Sequence, residues 1–164
     1  MKIGIVDTMF SRINMGKIAI EKIEQINEKK NYPKIEYIRR TVPGIKDLAV
    51  ECQIFFEKDK CDIVMALGMV GASDIDQICA HEASTAIQQV MLKFSKHVIE
   101  VFVHLKESMK NGELDEKDFY KLTQNRIRKH VENALNLIYY PDKLIENAGK
   151  GIRQGREDEG EIKF

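Results

Sequence analysis

The sequence predicts an α/β fold, a three-layer sandwich in which a four-stranded parallel sheet is covered by helices on both faces. Two observations predict it. Four short apolar runs alternate along the chain with segments whose apolar residues recur at helical spacing. Three of these runs end in a polar residue or a glycine, as buried parallel strands often do. No repeat or linker divides the 164 residues, so we expect one folded domain.

The first half of the chain contains two predicted strands and two predicted helices. KIGIVD (2–7) is the first strand, and KIEYIRRTV (34–42) is the second. The helix between them begins at Ser11 or Asn14, either of which is a suitable N-cap, and continues to about Lys30. The second helix is predicted by the spacing of Leu48, Ala49, Cys52, Phe55 and Phe56.

The second half repeats this alternation. DIVMALG (62–68) and HVIEVFVH (97–104) are the third and fourth strands, and the helix between them is predicted to be capped by Asp74. Asp115 and Asp118 resemble an acidic capping box that starts a long helix, which YYPD ends. The α/β domain therefore covers residues 1–140. Residues 141–164 form a C-terminal extension, rich in glycine and charge, that we expect to be partly flexible.

Composition argues against several function classes. Lys plus Arg and Asp plus Glu both number 26, so no net charge attracts nucleic acid or a membrane surface. The three cysteines form no CxxC motif, and Cys79 with His81 lacks two further zinc ligands, so we predict no metal site and inert thiols. No apolar signal segment or membrane-spanning run is present, and we expect a cytoplasmic protein.

Parallel sheets bind ligands at the carboxyl ends of their strands, so the turns there are the candidate site. After the second strand, VPGIKDL brings Asp47 close to the free N–H groups of a helix start. This combination predicts a ligand with several hydroxyl groups, which both donate and accept; the alternative is that Asp47 only favours the helix dipole. Phe10 follows the first strand and either stacks on a ligand or covers the core edge.

The third and fourth strands add weaker signals. Gly68 and Gly71 permit close approach of a flat heterocycle to the backbone, although the pattern is neither GxGxxG nor a Walker motif. Glu100 interrupts an apolar strand. It is either a buried carboxylate that needs a partner or a residue that faces water from an edge strand.

Five segments together resemble a known family. GIVDTMF, VPGIKDLAV, DIVMALGMVG, HEASTAI and HVIEVFV have the order and spacing of the 6,7-dimethyl-8-ribityllumazine synthase family. They are most similar to its archaeal riboflavin synthase branch, as is AGKGIRQG in the tail. The resemblance covers roughly residues 1–140 and implies a flavodoxin-like sheet, a homopentamer and a site between subunits.

The resemblance also implies residue roles. It implies that Phe10 stacks on the heterocycle and that the turn around Asp47 binds the ribityl chain. It also implies that the backbone at the end of the third strand forms hydrogen bonds with the pyrimidinedione edge. The start of the fourth strand forms a wall of the neighbouring subunit's site. The implied substrate-binding residues are Phe10, Ser11, Gly44, Ile45, Lys46, Asp47, Gly68, Met69, Val70, Gln77, Val98 and Ile99. The candidates for acid–base catalysis are Glu100, His97 and Asp74.

One loop departs from the lumazine synthases of this family. They follow the third strand with an Arg-Gly-Glu-Thr loop that binds a substrate phosphate, whereas this chain has a shorter GASD loop in which Asp74 would repel phosphate. Their loop histidine is replaced by Ile75, Asp76 or Gln77, and His81 is out of register. The resemblance therefore implies riboflavin synthesis, in which a second lumazine occupies the space of the phosphate pocket.

Three alternatives to riboflavin synthesis stay open at this point. The first is an atypical lumazine synthase, and the second is a non-catalytic lumazine- or flavin-binding oligomer. The third is a flavodoxin-like response module, which would use Asp7 as phospho-acceptor, although a second acid beside Asp7 is absent from the sequence. The resemblance implies two lumazine molecules per site as the small-molecule partners, without nucleic acid or membrane. It implies no organic cofactor, and the sequence leaves a role for Mg²⁺ open.

Overall fold

The structure is a computed structural model that describes residues 1–29 and 33–163. Within these residues a four-stranded parallel sheet has the strand order β2-β1-β3-β4. Its strands are β1 (Lys2–Thr8), β2 (Glu36–Val42), β3 (Ile63–Val70) and β4 (Val98–His104). The predicted strands are confirmed, and each predicted end differs by at most two residues.

The helices follow the strands in the predicted alternation. They are α1 (Met15–Glu28), α2 (Leu48–Glu57), α3 (Asp74–Phe94), α4 (Glu116–Tyr139) and α5 (Pro141–Asn147). Helix α5 was not predicted, because Pro141 was interpreted as the residue that ends α4. The structure shows that Pro141 also begins α5, since proline is well tolerated at the first helical position.

The observed N-cap residues test the predicted starts of α1, α3 and α4. Asn14 is the N-cap of α1, and its side chain accepts a hydrogen bond from the Lys17 N–H at 3.0 Å. The prediction that Asp74 caps α3 is wrong. Ser73 is the N-cap, because its hydroxyl accepts from Asp76 N, and Asp74 is the first helical residue. Asp115 caps α4 as predicted and accepts from Asp118 N at 2.9 Å.

Two separate apolar cores lie on the two faces of the sheet, which confirms the three-layer sandwich. Helices α1 and α4 pack on one face around β3 residues Met65 and Leu67. Helices α2 and α3 pack on the other face around Val64 and Ala66. Alternation of side chains along β3 thus supplies both cores, and all its residues are buried.

Short elements connect the layers. A 3-10 turn (Ile45–Asp47) precedes α2, and another (Leu105–Ser108) follows β4. The hairpin of β5 (Met109–Lys110) and β6 (Glu113–Leu114) then turns at Asn-Gly, where both residues have positive φ.

The C-terminal extension contacts the domain. Arg156 donates hydrogen bonds to the carboxylate of Asp118 and to the carbonyl of Glu107, and Gly155 N donates to Asn125 Oδ1 at 3.0 Å. That this extension is partly flexible stays a prediction. In the described part of the chain, every helix is too short or too polar to cross a membrane.

Candidate functional site

The carboxyl ends of the strands bring three of the predicted turns to one edge of the sheet. The Met9 N–H donates to the Val42 carbonyl at 2.8 Å, so the turn after β1 lies against the end of β2. Phe10, the next residue, is 57% exposed. An aromatic ring exposed beside a turn is available for stacking, whereas one that covered the core would be buried.

The turn after β2 is stabilised by a hydrogen bond to the carboxylate of Asp47, which lies within the turn. Asp47 Oδ2 accepts a hydrogen bond from Gly44 N at 3.1 Å, and the Asp47 side chain makes no capping bond to α2. Asp47 is exposed, and the neighbouring Lys46 forms an ion pair with Glu82 of α3. The predicted acid and its turn are therefore accessible in a single chain.

The end of β3 is open on one side. Its pairing with β1 ends at Leu67, while its pairing with β4 continues to Val70. Gly68 has a packing role that its sequence did not indicate: a Cβ there would lie 2.9 Å from the Phe102 ring and 3.1 Å from Ile45. The groups that approach Gly68 closely are therefore the side chains of Phe102 and Ile45. Beyond Leu67, the backbone of β3 is not paired with β1.

The first turn of α3, which follows β3, contains one exposed polar side chain and one that is held by hydrogen bonds. The Asp74 side chain is 98% exposed and lies 3.2 Å from Lys106 Nζ. Gln77 Nε2 donates to the Gly71 carbonyl, and Gln77 Oε1 lies 2.8 Å from His104 Nδ1. Because an amide oxygen only accepts, His104 Nδ1 carries the hydrogen and its Nε2 is unprotonated in the neutral ring.

His104 is a titratable group that the predicted site omitted. It ends β4 at the same sheet edge as Gln77, and its burial lowers its pKa below the usual histidine value. A histidine at a strand's carboxyl end was the signal in the sequence. The contact with Gln77, which is 27 residues away in the chain, was not visible there.

Glu100 has features of both interpretations of its position, the buried carboxylate with a partner and the residue on an edge strand. It lies on β4, an edge strand of the sheet in this chain, and it is half-buried under α3 with Ser84 Oγ donating to its carboxylate at 2.8 Å. Burial raises the pKa of Glu100, and the Ser84 hydrogen bond partly opposes that effect. A carboxyl group with a raised pKa is better matched to proton transfer near neutral pH.

The start of β4 lies away from this site. His97 is exposed beside the amino end of β3, and Val98 pairs with Val64. The seven residue steps from His97 to His104 span about 23 Å of extended chain. In one chain, therefore, His97, Val98 and Ile99 are not brought together with Phe10 and Asp47.

The sequence-based alternative for Asp7 does not fit its surroundings. Asp7 is 3% exposed and pairs with Arg39 Nη2 at 2.6 Å, while Thr41 Oγ1 and Gly16 N also donate to its carboxylate. A Cβ on Gly16 would overlap the Arg39 guanidinium and the Asp7 carboxylate, so any larger residue here would force this pair to shift. A carboxylate so enclosed is not an accessible phospho-acceptor.

The three cysteines are free and at least half-buried. Burial raises the pKa of Cys52 to about 12 and that of Cys61 to about 11, which makes both thiols unreactive, while Cys79 is half-buried. Within residues 1–29 and 33–163, no group of three or more His, Cys, Asp or Glu side chains has an arrangement that could hold a metal ion.

Comparison with known proteins gives consistent matches over the chain. The family profile of 6,7-dimethyl-8-ribityllumazine synthase matches residues 1–141. The riboflavin synthases of Methanothermobacter marburgensis and Archaeoglobus fulgidus are each 44% identical over 162 residues, which is 99% of this chain and 99% of theirs. The 6,7-dimethyl-8-ribityllumazine synthase of Methanopyrus kandleri is 26% identical over 166 residues, with 98% of each chain covered.

Proposed function

The chain belongs to the 6,7-dimethyl-8-ribityllumazine synthase family, in its archaeal riboflavin synthase branch, and we propose that it converts two molecules of 6,7-dimethyl-8-ribityllumazine into riboflavin and 5-amino-6-ribitylaminouracil. The observation that carries this proposal is the 44% identity to riboflavin synthases over 99% of both chains. The exposed, acid-containing turn at the sheet edge supports it.

The reaction is a transfer between identical molecules. One lumazine gives a four-carbon unit to the other, and together the two products contain every atom of the two substrates. It therefore consumes no oxidant, reductant or water and requires no organic cofactor. The main task of the protein is to hold both molecules in a reactive geometry, which lowers barriers by about 7–11 kcal/mol in favourable cases.

The first lumazine binds along the carboxyl ends of β1, β2 and β3. Phe10 stacks on its ring, with Ser11 beside it, and Asp47 accepts hydrogen bonds from ribityl hydroxyls while the Gly44–Lys46 backbone contributes further contacts. The pyrimidinedione edge meets the backbone of Gly68, Met69 and Val70, beyond the point where β1 pairing ends. Gln77, fixed by Gly71 and His104, lines the adjoining side.

Proton transfer is proposed for Glu100, His97 and Asp74. Glu100 has the strongest support, because burial raises its pKa. Asp74 has the weakest, because it is almost fully exposed and faces Lys106. His104 joins the candidates, since its neutral ring leaves Nε2 free to accept a proton at the same sheet edge.

The complete site is proposed to lie between subunits of a homopentamer. The start of β4, with His97, Val98 and Ile99, would form a wall for the neighbouring subunit's ligand. Two observations support this: within one chain this segment is distant from the other implied residues, and the chain exposes large apolar side chains. These include Met9, Phe10, Val50, Ile75, Ile78 and Leu92.

A lumazine synthase activity is the second candidate, because the Methanopyrus kandleri lumazine synthase matches the whole chain. The start of α3 opposes it. Asp74 and Asp76 both lie in the first turn, so a substrate phosphate bound there would meet two carboxylates.

The test is incubation of the purified protein with 6,7-dimethyl-8-ribityllumazine alone. We expect flavin absorbance to appear and lumazine fluorescence to fall. A parallel incubation with 5-amino-6-ribitylaminouracil and 3,4-dihydroxy-2-butanone 4-phosphate measures the competing activity. Consumption of that pair with persistence of lumazine indicates a lumazine synthase, and lumazine binding without any turnover indicates a non-catalytic binding protein.

A further inference from the structure

The C-terminal segment of residues 153–158, which we call the C-terminal strap, lies against α4 and against the 3-10 turn after β4. It contains none of the proposed substrate-binding or proton-transfer residues. We propose that Arg156 of the strap is a positioning residue, which fixes His104 and, through it, Gln77 at the proposed lumazine site. The inference rests on the proposed function and names a further residue on which that reaction depends.

Arg156 joins the strap directly to the turn after β4. Its Nη2 donates to the carbonyl oxygen of Glu107 and, at 3.3 Å, to Ser108 Oγ. Its Nη1 donates to Asp118 Oδ1 at 3.0 Å, and the other oxygen of that carboxylate accepts from Ser108 Oγ at 2.6 Å. The hydrogen bond from Arg156, together with that from Ser108, lowers the pKa of Asp118 to about 2, so this carboxylate is charged at neutral pH.

The backbone of the strap is fixed on α4. The Gln154 carbonyl accepts from Arg126 Nε at 3.3 Å, and Gly155 N donates to Asn125 Oδ1 at 3.0 Å. Gly155 is buried and has a φ of 95°, and a Cβ on it would lie 2.9 Å from Arg126 Nε. Glycine therefore permits the strap to approach α4 closely, in a backbone conformation that other residues rarely adopt.

A series of hydrogen bonds connects the strap with the proposed site. Arg126, which contacts the strap, donates from Nη1 and Nη2 to the two carboxylate oxygens of Glu107. Glu107 Oε1 also accepts from His104 N at 3.1 Å, and His104 Nδ1 lies 2.8 Å from Gln77 Oε1. The turn after β4 is thus held on the strap side by Arg126 and Arg156, while the residue at its start orients Gln77.

The proposed reaction makes this support matter for turnover. Removal of the Arg156 guanidinium would take a donor from the Glu107 carbonyl and from Asp118, so the turn would shift and the His104 ring would move with it. The reaction needs two lumazines in one reactive geometry, and a misplacement of about 1 Å can cost about 100-fold in rate. Arg156 would therefore affect the rate without touching the ligand.

Steady-state kinetics of Arg156→Ala with 6,7-dimethyl-8-ribityllumazine test the inference. We expect kcat to fall about 10- to 100-fold. KM should change much less, because the proposed ring and ribityl contacts are kept. Arg156→Lys should recover part of the loss, since lysine provides a donor but not the two-pronged guanidinium contact. Arg153→Ala is the matched control and should keep the wild-type kcat, because the Arg153 side chain pairs with Glu159 of the C-terminal extension itself.

A double-mutant cycle separates positioning from a general effect on stability. In the His104→Ala background, Arg156→Ala should lower kcat no further, because its effect passes through His104. It should lower the melting temperature equally in both backgrounds, since the contacts of Arg156 with Glu107 and Asp118 are present in each. A wild-type kcat in Arg156→Ala, or losses of kcat that multiply in the double variant, would overturn the inference.

The tautomer of the His104 ring provides a second readout that needs no turnover. NMR of histidine-labelled protein should show the hydrogen on Nδ1 in the wild type and a mixture of both tautomers in Arg156→Ala, with His104→Ala identifying the signal by its loss. An unchanged Nδ1–H signal in Arg156→Ala would also contradict the role of the strap. A wild-type protein that forms no riboflavin overturns the proposed function, and the tautomer then decides alone whether Arg156 positions His104.

Discussion

Carboxylates near the sheet edge differ in their surroundings, and the differences indicate different tasks. Asp7 is enclosed and paired with Arg39, which fits a structural role. Glu100 is half-buried with a raised pKa, which fits proton transfer. Asp47 is exposed and accepts a hydrogen bond from the Gly44 N–H of its own turn, so ligand hydroxyls can reach its carboxylate.

Asp47→Ala tests whether that carboxylate binds the ribityl chain. We expect weaker lumazine binding by about 1.5–3 kcal/mol, the range for hydrogen bonds to a charged group. An analogue without the ribityl chain should lose far less affinity, and Asp47→Asn should be intermediate. Titration of both ligands measures this. Equal losses for the two ligands, with a lower melting temperature, would reduce Asp47 to a residue that fixes the turn.

His130 of α4 should make stability depend on pH. Burial, with a smaller contribution from nearby Arg126, lowers its pKa to about 4. The unfolded chain takes up a proton near pH 6.5 while the folded chain does not, so stability present above that pH is lost as pH falls toward 4. Between pH 7.5 and 5.5 we expect this residue to account for a loss of about 1 kcal/mol.

Urea unfolding at these two pH values measures the effect. His130→Gln should lose less stability than the wild type on acidification, because the substituted residue does not titrate. His81→Gln, a change at an exposed histidine, is the matched control and should behave like the wild type. An identical pH dependence in His130→Gln and the wild type would contradict the prediction.

Strand β3 shows how one element serves the core and the site together. All its residues from Ile63 to Val70 are buried, and its side chains enter both apolar cores. Beyond Leu67 it pairs with β4 but not with β1, which leaves backbone groups on the β1 side available to a ligand. Gly68 makes this arrangement possible, because the Phe102 ring of β4 occupies the space of a Cβ.

Gly68→Ala should therefore destabilise the protein by about 1–3 kcal/mol, the usual effect of overpacking. The added methyl would lie within 3.1 Å of both Phe102 and Ile45. Thermal unfolding measures the effect, and adding Phe102→Leu should recover part of the loss. Gly44→Ala is the matched control, since a Cβ there meets no atom closer than 4.0 Å. Equal melting temperatures for Gly68→Ala and Gly44→Ala would disprove the packing role.

In the whole molecule, the implied residues fall into two groups on opposite edges of the sheet. Phe10 and Asp47 follow the carboxyl ends of β1 and β2, whereas His97 precedes the amino end of β4. One chain does not unite the two groups, but a ring of subunits would unite them if each carboxyl edge met its neighbour's β4. Such an arrangement would explain why the proposed site is an open surface in a single chain.

Mixed oligomers test the shared site. We expect a mass of about five times the 18.9 kDa chain by light scattering. Asp47→Ala and His97→Ala should each lose most activity alone. Oligomers assembled from an equal mixture should recover about a quarter of wild-type activity, because one interface in four then pairs two intact halves. A mixture no more active than its components would place the whole site within one subunit.

The sequence by itself determined the four strands of the sheet, the first four helices and the family. Strands and helices follow from local periodicity, and caps such as Asn14 follow from side-chain chemistry within a few residues. The Asp74 error was local as well: adjacent serine and aspartate are both good caps, and the backbone conformation selected Ser73. The turns at the strand ends were also readable, because a parallel sheet must place its carboxyl ends at one edge.

Only the tertiary structure decided which distant residues meet. It paired Asp7 with Arg39, Glu100 with Ser84 and Gln77 with His104, and it separated His97 from Asp47. Strand order set these contacts, and no local pattern encodes strand order. The buried hydroxyl of Thr8, which has no hydrogen-bond partner among the described residues, has the same origin: whether a buried group lacks a partner depends on every element around it, which the sequence near Thr8 does not describe.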